Sequence, residues 1–299
     1  MITIELDNRY ELKSSVDNRY EYSRTPLTEL ESKYISIPLS LITDSELDIK
    51  RVGILSYLRV HCGLNDIVGF SIPDMVEWCG GKPDRRTNGT NDKFLNVLDD
   101  LVSKGYLTYM NEKSRSGYIK CKLNTAYYYE ECSNGYATIY LDEIEKIMQY
   151  KKKNKKDNSI TNVNIFLTFS YLRHKIRRRP NELKPEERSC DMIQQRKERC
   201  PEAFDSNIND IAKDIGVSAK TVSKIVDILE QELELIVTDR AYRVKNENGE
   251  FRTLPTIFAN AYKREGKYLL LVEKDYSRAE IELKAKSIKD YKINKKKRK

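Results

Sequence analysis

The chain of 299 residues is 39% hydrophobic and 33% charged, and no stretch nears the roughly 18 to 20 apolar residues of a membrane span, so a membrane partner is not expected. Its net charge of +8 is unevenly placed: Lys284 to Lys299 holds nine basic residues against Asp290, Lys151 to Arg199 fifteen against six acidic, and residues 1–50 ten acids against six bases. Such segregation points to a polyanionic partner for some regions only.

An arm over 1–30 opens the chain, without the basic and then apolar run of a secretory signal, so a cytoplasmic location is expected. It repeats Asp7-Asn8-Arg9-Tyr10-Glu11 as Asp17-Asn18-Arg19-Tyr20-Glu21, too polar for a core and readable as a loose arm or a self-association peptide.

A larger repeat organises the rest. Ser56-Tyr57-Leu58-Arg59 inside one apolar run returns as Ser170-Tyr171-Leu172-Arg173 inside another, and each run follows a similar short segment, Tyr34 to Leu39 or Tyr136 to Leu141. In the first copy the pattern predicts a short helix from Ile72 to Cys79 capped by Ser71, a longer one from Thr90 to Lys104 closed by Gly105, and strands 106–110 and 118–123 joined by a polar turn. The second copy predicts helices 208–215 and 219–232, strands 235–238 and 241–245, and an extended piece 251–257 lying across the turn 246–250. A strand, 268–272, and a helix from Ser277 running into the lysine tail complete the reading. The expected division is 1–30, 31–130, 131–265 with a polar insertion at 180–201, and 266–299.

The strongest local signal is Asp210-Ile211-Ala212-Lys213-Asp214-Ile215-Gly216-Val217-Ser218 followed by Ala219 to Leu229. Ala212 suits a close helix crossing, Gly216 a positive-φ turn, and Ser218 an N-cap, while Ile211, Ile215, Val217, Val222 and Ile225 fill apolar places. This stretch resembles the helix-turn-helix of bacterial DNA-binding proteins, and the following hairpin makes it similar to a winged helix; Met75 to Gly80 repeats the pattern. The fold class is therefore read as α+β, mainly α, with two tandem winged-helix domains.

With Val222 and Ile225 facing inward, Lys220, Thr221 and Lys224 are expected to project toward DNA beside Ser223, with Ser218 at a phosphate. In the first copy the equivalent surface is Arg85, Arg86, Asn88, Thr90, Asn91, Lys93 and Asn96, residues suited to base edges. The wings offer Lys113 and Arg115, with Ser114 and Ser116, and Arg243 and Lys245, with Asn246 and Asn248.

No Gly-x-x-x-x-Gly-Lys loop, Gly-x-Ser-x-Gly elbow or His-Glu-x-x-His motif is present, and Tyr127-Tyr128-Tyr129 is not read as a nucleophile, so no enzymatic activity is expected. No two of the six cysteines lie two to four residues apart, and only His61 and His174 accompany them, so no metal or cofactor is expected. Cys190 and Cys200 form the one pair that invites a disulfide test.

The overall plan resembles the replication initiators of plasmids and mobile elements, and 34–79 is similar to the first winged helix of Gram-positive plasmid initiators and DnaD-like primosome proteins. That resemblance implies binding of double-stranded origin DNA and recruitment of host replication proteins; the insertion 180–201 departs from it. The same modules serve transcriptional regulators, and an interaction scaffold with the acidic arm as docking peptide is a third reading. Steep salt dependence separates DNA binding from the scaffold.

Overall fold

The computed structural model describes residues 24–43, 50–151, 160–176, 202–240, 243–245, 251–253, 255–262, 264–265, 268–270, 277–278, 280–281 and 284. The arm repeat, most of the insertion with Cys190 and Cys200, the turn 246–250 and the Lys295–Lys299 cluster lie outside the described residues.

After strand β1 (Arg24–Pro26) and the short helix α1 (Glu29–Ser32), the chain builds one arrangement twice. The first unit comprises β2 (Tyr34–Pro38), α2 (Leu39–Thr43), α3 (Lys50–Val60), β3 (Ile67–Ser71), α4 (Ile72–Trp78), α5 (Thr90–Ser103), β4 (Leu107–Tyr109) and β5 (Tyr118–Leu123). Helix α6 (Thr125–Ser133) leads to the second: β6 (Tyr136–Tyr140), α7 (Leu141–Met148), α8 (Asn162–Lys175), β7 (Ala203–Ser206), α9 (Ile208–Asp214), α10 (Ala219–Asp227) and β8 (Ile236–Asp239). It continues through β9 (Arg243–Lys245), β10 (Phe251–Thr253) and β11 (Thr256–Asn260), and β12 (Arg264–Glu265) and β13 (Tyr268–Leu270) follow. The protein is α+β, mainly helical, with small antiparallel sheets. The two larger sheets of the units share one topology, β3-β5-β4 and β7-β11-β8.

Side-chain periodicity explains most elements. On α5, Phe94, Val97, Leu98 and Leu101 are buried at helical spacing; on β5, Ile119, Cys121 and Leu123 point inward while Tyr118, Lys120 and Lys122 are exposed. Ser71 caps α4 by accepting from the Asp74 N–H at 3.3 Å, and Gly105, at φ +80°, follows the end of α5.

The structure adds elements to the sequence expectations and alters one of them. Strands β3 and β7, each pairing with the hairpin of its own unit, were not expected, nor was helix α6, whose tyrosine-rich run carries a weak helical pattern. In the second unit β9 pairs with β10, as expected for an extended piece lying across from 241–245, and β8, whose partner the sequence did not indicate, pairs with β11. Finally, α10 ends at Asp227 and passes into a π turn over Ile228–Glu232 rather than running on as one α-helix.

The units are joined face to face. Strands β2 and β6 pair antiparallel with Ser36 opposite Thr138, Tyr34 opposite Tyr140 and Pro38 opposite Tyr136. Because 34–39 and 136–141 are equivalent in the repeat, this register places a local two-fold between Ser36 and Thr138. Helices α3 and α8, apolar on nearly all sides, cross beneath this sheet, and a single cluster of buried residues runs from Ile35 to Phe258. Gly53 permits that crossing, since a Cβ there would meet Val163 at 3.1 Å and the Cys79 sulfur at 3.3 Å.

A buried charge network ties the later chain to this junction. Arg264 pairs with Asp142 at 2.8 Å and Glu143 at 3.0 Å, its guanidinium lies 3.9 Å from the Tyr140 ring centroid, and Arg173 also pairs with Glu143. Burial raises the Asp142 pKa while Arg264 opposes the rise. The outer face of the second unit's sheet differs from that of the first: Ala203, Val237, Ile257 and Ala259 form a separate apolar cluster with Ile281. Glu280 accepts from the Glu202 N–H at 2.7 Å and Lys284 pairs with Asp205 at 3.0 Å.

Candidate nucleic-acid interface

In the first unit the loop 81–89 and the start of α5 form one hydrogen-bonded body. Asp84 receives the Arg86 N–H at 3.0 Å and its guanidinium at 2.8 Å, and the Asp92 carboxylate receives the Asn88 N–H at 2.8 Å. Asn88 itself stands at φ +62°. At the centre is Asn91, fully buried. Its Oδ1 accepts from the Asp84 N–H at 3.0 Å, and its Nδ2 donates to the Arg115 carbonyl at 2.9 Å. The Asn91 side chain is therefore turned inward rather than outward as its sequence position suggested, and it fastens the hairpin to α5.

Acidic residues of α5 complete that fastening. Asp92 pairs with Arg115 at 2.5 Å, and Asp99 pairs with Lys113 at 2.9 Å while accepting from the Tyr109 hydroxyl at 3.0 Å. Burial, and then this bond to Asp99, push the Tyr109 phenol up. Both wing cations named from sequence are thus partly neutralised within the unit. Arg85, Lys93 and Asn96 are exposed, and neither Arg85 nor Lys93 has an ion-pair partner among the described residues. Thr90 is half-buried at the first turn of α5. Lys120 and Lys122, outward on β5, were missed by the sequence reading although the alternation in Tyr118-Ile119-Lys120-Cys121-Lys122-Leu123 marks them.

The hydrogen bonds of Arg86, the side-chain bond first, lower the Asp84 pKa to about 2. A depressed carboxyl adds stability above its unfolded pKa, near 3.9, and loses that contribution as pH falls through the folded value. The expected result is a carbon-13 carboxyl titration of Asp84 centred near 2, returning toward the ordinary aspartate range in Arg86→Ala; an ordinary midpoint in the parent chain would contradict the loop geometry.

In the second unit, α9 and α10 meet through a turn with Gly216 at φ +65°, a conformation that glycine adopts without a Cβ penalty. Ile211 and Ala212 of α9 and Val222 and Ile225 of α10 are buried. Ser218 accepts from the Thr221 N–H at 3.2 Å, and the two hydroxyls lie 2.8 Å apart. Thr221 is only 8% exposed; the expectation that it projects outward is corrected, because its hydroxyl turns back onto the cap. Lys220 is exposed, with no ion-pair partner among the described residues, while Ser223 and Lys224 are half-buried along the same helix. Here too acids near the helix end hold the hairpin: Arg240 pairs with Asp227 and, at 3.1 Å, with Glu230. Arg243 and Lys245 stand on β9.

Other cysteines and histidines of the described residues are held by burial and backbone bonds. Burial raises the Cys79 and Cys121 thiols to about 12. His61 and His174 each bond a backbone carbonyl, of Tyr57 at 2.8 Å and Tyr136 at 3.1 Å. Among the described residues no cluster of three His, Cys, Asp or Glu side chains is placed to hold a metal, and no helix is long and apolar enough to cross a membrane. No known protein family, curated protein or solved structure matches the chain.

Proposed function

We propose that each unit is a winged helix and that the protein binds duplex DNA through both, with α5 and α10 in the major groove and the hairpins on flanking phosphates. The observation that supports this most is the repeated helix, strand, helix, helix, hairpin order with sheet topologies β3-β5-β4 and β7-β11-β8. In each unit the helix before the hairpin keeps one face buried and carries an exposed cation, Lys93 on α5 and Lys220 on α10, with Arg85 exposed in the loop before α5. Within this reading the chain is a replication initiator that binds origin repeats and brings host replication proteins to them, as its resemblance to plasmid initiators implies.

Affinity measurements on the parent chain, Arg85→Ala and Lys220→Ala test the proposal. Each substitution is expected to lower duplex affinity by about 1 to 3 kcal/mol if the side chain reads a base, and less if it touches only phosphate. Stability should move by no more than about 0.5 kcal/mol in either variant. Parent-level binding by both variants would remove these helices from the interface. Genomic context separates initiator from regulator: sequence repeats beside the coding region favour the former, a divergently read operon the latter.

A further inference from the structure

The outward face of the β2–β6 sheet carries a second, aromatic surface. Tyr34, Ser36, Thr138 and Tyr140 face outward there, and with Tyr129, Tyr136 and Arg59 they line a cavity of about 620 Å³. A neighbouring cavity of about 370 Å³ shares Tyr34, Ile35 and Arg59 with it, so the two form one trough around the arginine. Tyr34, Tyr129 and Tyr136 are 58%, 57% and 38% exposed, high values for rings of this size. The Arg59 guanidinium lies 4.7 Å from the Tyr128 ring centroid and 5.7 Å from that of Tyr129. Among the described residues no carboxylate lines either cavity.

These features select a ligand class. Exposed ring faces stack on planar heterocycles, an arginine held over tyrosines supplies a cation for phosphate, and the serine and threonine hydroxyls supply further polar partners; a lining without carboxylates does not repel an anion. The two tyrosine stations, Tyr34 with Tyr140 and Tyr136 opposite Pro38, are four residues apart along β2, or about 13 Å at the ordinary strand rise. One base cannot cover both, whereas linked nucleotides can. We propose that this face binds an unpaired strand of nucleic acid, with bases on Tyr34 and Tyr136 and a phosphate at Arg59. The inference does not require duplex binding by α5 or α10.

The test uses the full chain and a fluorescent oligothymidylate, followed by anisotropy over a range of salt concentrations. The double variant Tyr34→Ala/Tyr136→Ala is expected to bind the strand at least about tenfold more weakly, from the loss of two stacking contacts. The deficit should persist at high salt, where the contribution of the lysine tail fades. Tyr34→Phe/Tyr136→Phe should bind like the parent, because the ring face is kept. Thymidine monophosphate should compete poorly. Strand binding by the alanine variant equal to that of the parent, loss in the phenylalanine variant as large as in the alanine variant, or competition by the mononucleotide as effective as by the strand would each overturn the proposal. Duplex affinity and the thermal transition, measured on the same variants, separate a failure of this site from failure of the duplex reading or loss of the fold.

Discussion

Replacing Arg264 with methionine is expected to destabilise the protein by about 3 to 5 kcal/mol, because it removes the cation from a buried pair and leaves carboxylates without compensation. The side chain of Arg264 is 5% exposed, and those of its partners Asp142 and Glu143 15% and 1%. Glu143 keeps Arg173, so most of the loss falls on Asp142 and on the contact with the Tyr140 ring. Urea denaturation of Arg264→Met, Asp142→Asn and the double variant gives the coupling. The double variant should be more stable than the sum of the single losses predicts. Purely additive losses would mean that the pair contributes no interaction of its own.

Asn91→Ala is expected to cost about 1 to 3 kcal/mol, since it removes a fully buried side chain and strips hydrogen-bond partners from the part-buried Asp84 N–H and Arg115 carbonyl. The same substitution should weaken duplex binding by the first unit, although Asn91 lies in the interior, because the hairpin is no longer held against α5. Lys93→Ala, on the exposed face of the same helix, should do the reverse, leaving stability within about 0.5 kcal/mol while reducing binding. Thermal melting and affinity measured side by side distinguish the roles. If Asn91→Ala melts like the parent and only binding falls, Asn91 reads DNA and the fastening role is wrong.

The repeated architecture was legible because apolar periodicity and caps are local signals. Ser71, Gly105, Gly216 and Ser218 mark turns and termini by their own chemistry, and the spacing of Leu95, Leu98 and Leu101 announces a helix before any contact is known. The pairing of β2 with β6 was not legible, since two short apolar segments a hundred residues apart carry no statement of partnership. Strands β3 and β7 were hidden for a similar reason: each is short and runs almost directly into the next helix.

At the candidate interface, residue type misled where it was read without burial. Asn91 and Thr221 carry polar groups in helices that meet the patterned criterion for recognition, yet their side chains bond inward, to a loop and to a cap. The acids that pair with Lys113 and Arg115 lie at 99 and 92, 14 and 23 residues away along the chain, so the net charge of the wing could not be read from the wing alone. Lys120 and Lys122 are marked by the alternation of β5, outside the turn whose cations define the wing in the sequence.

The central claim, that both units engage duplex DNA, is tested most directly by footprinting the full chain on its target with Arg85→Ala and Lys220→Ala alongside. The expected pattern is two protected major-groove segments about 10 base pairs apart, with protection of one lost in Arg85→Ala and of the other in Lys220→Ala. A single protected segment, unchanged by one of the two substitutions, would contradict it.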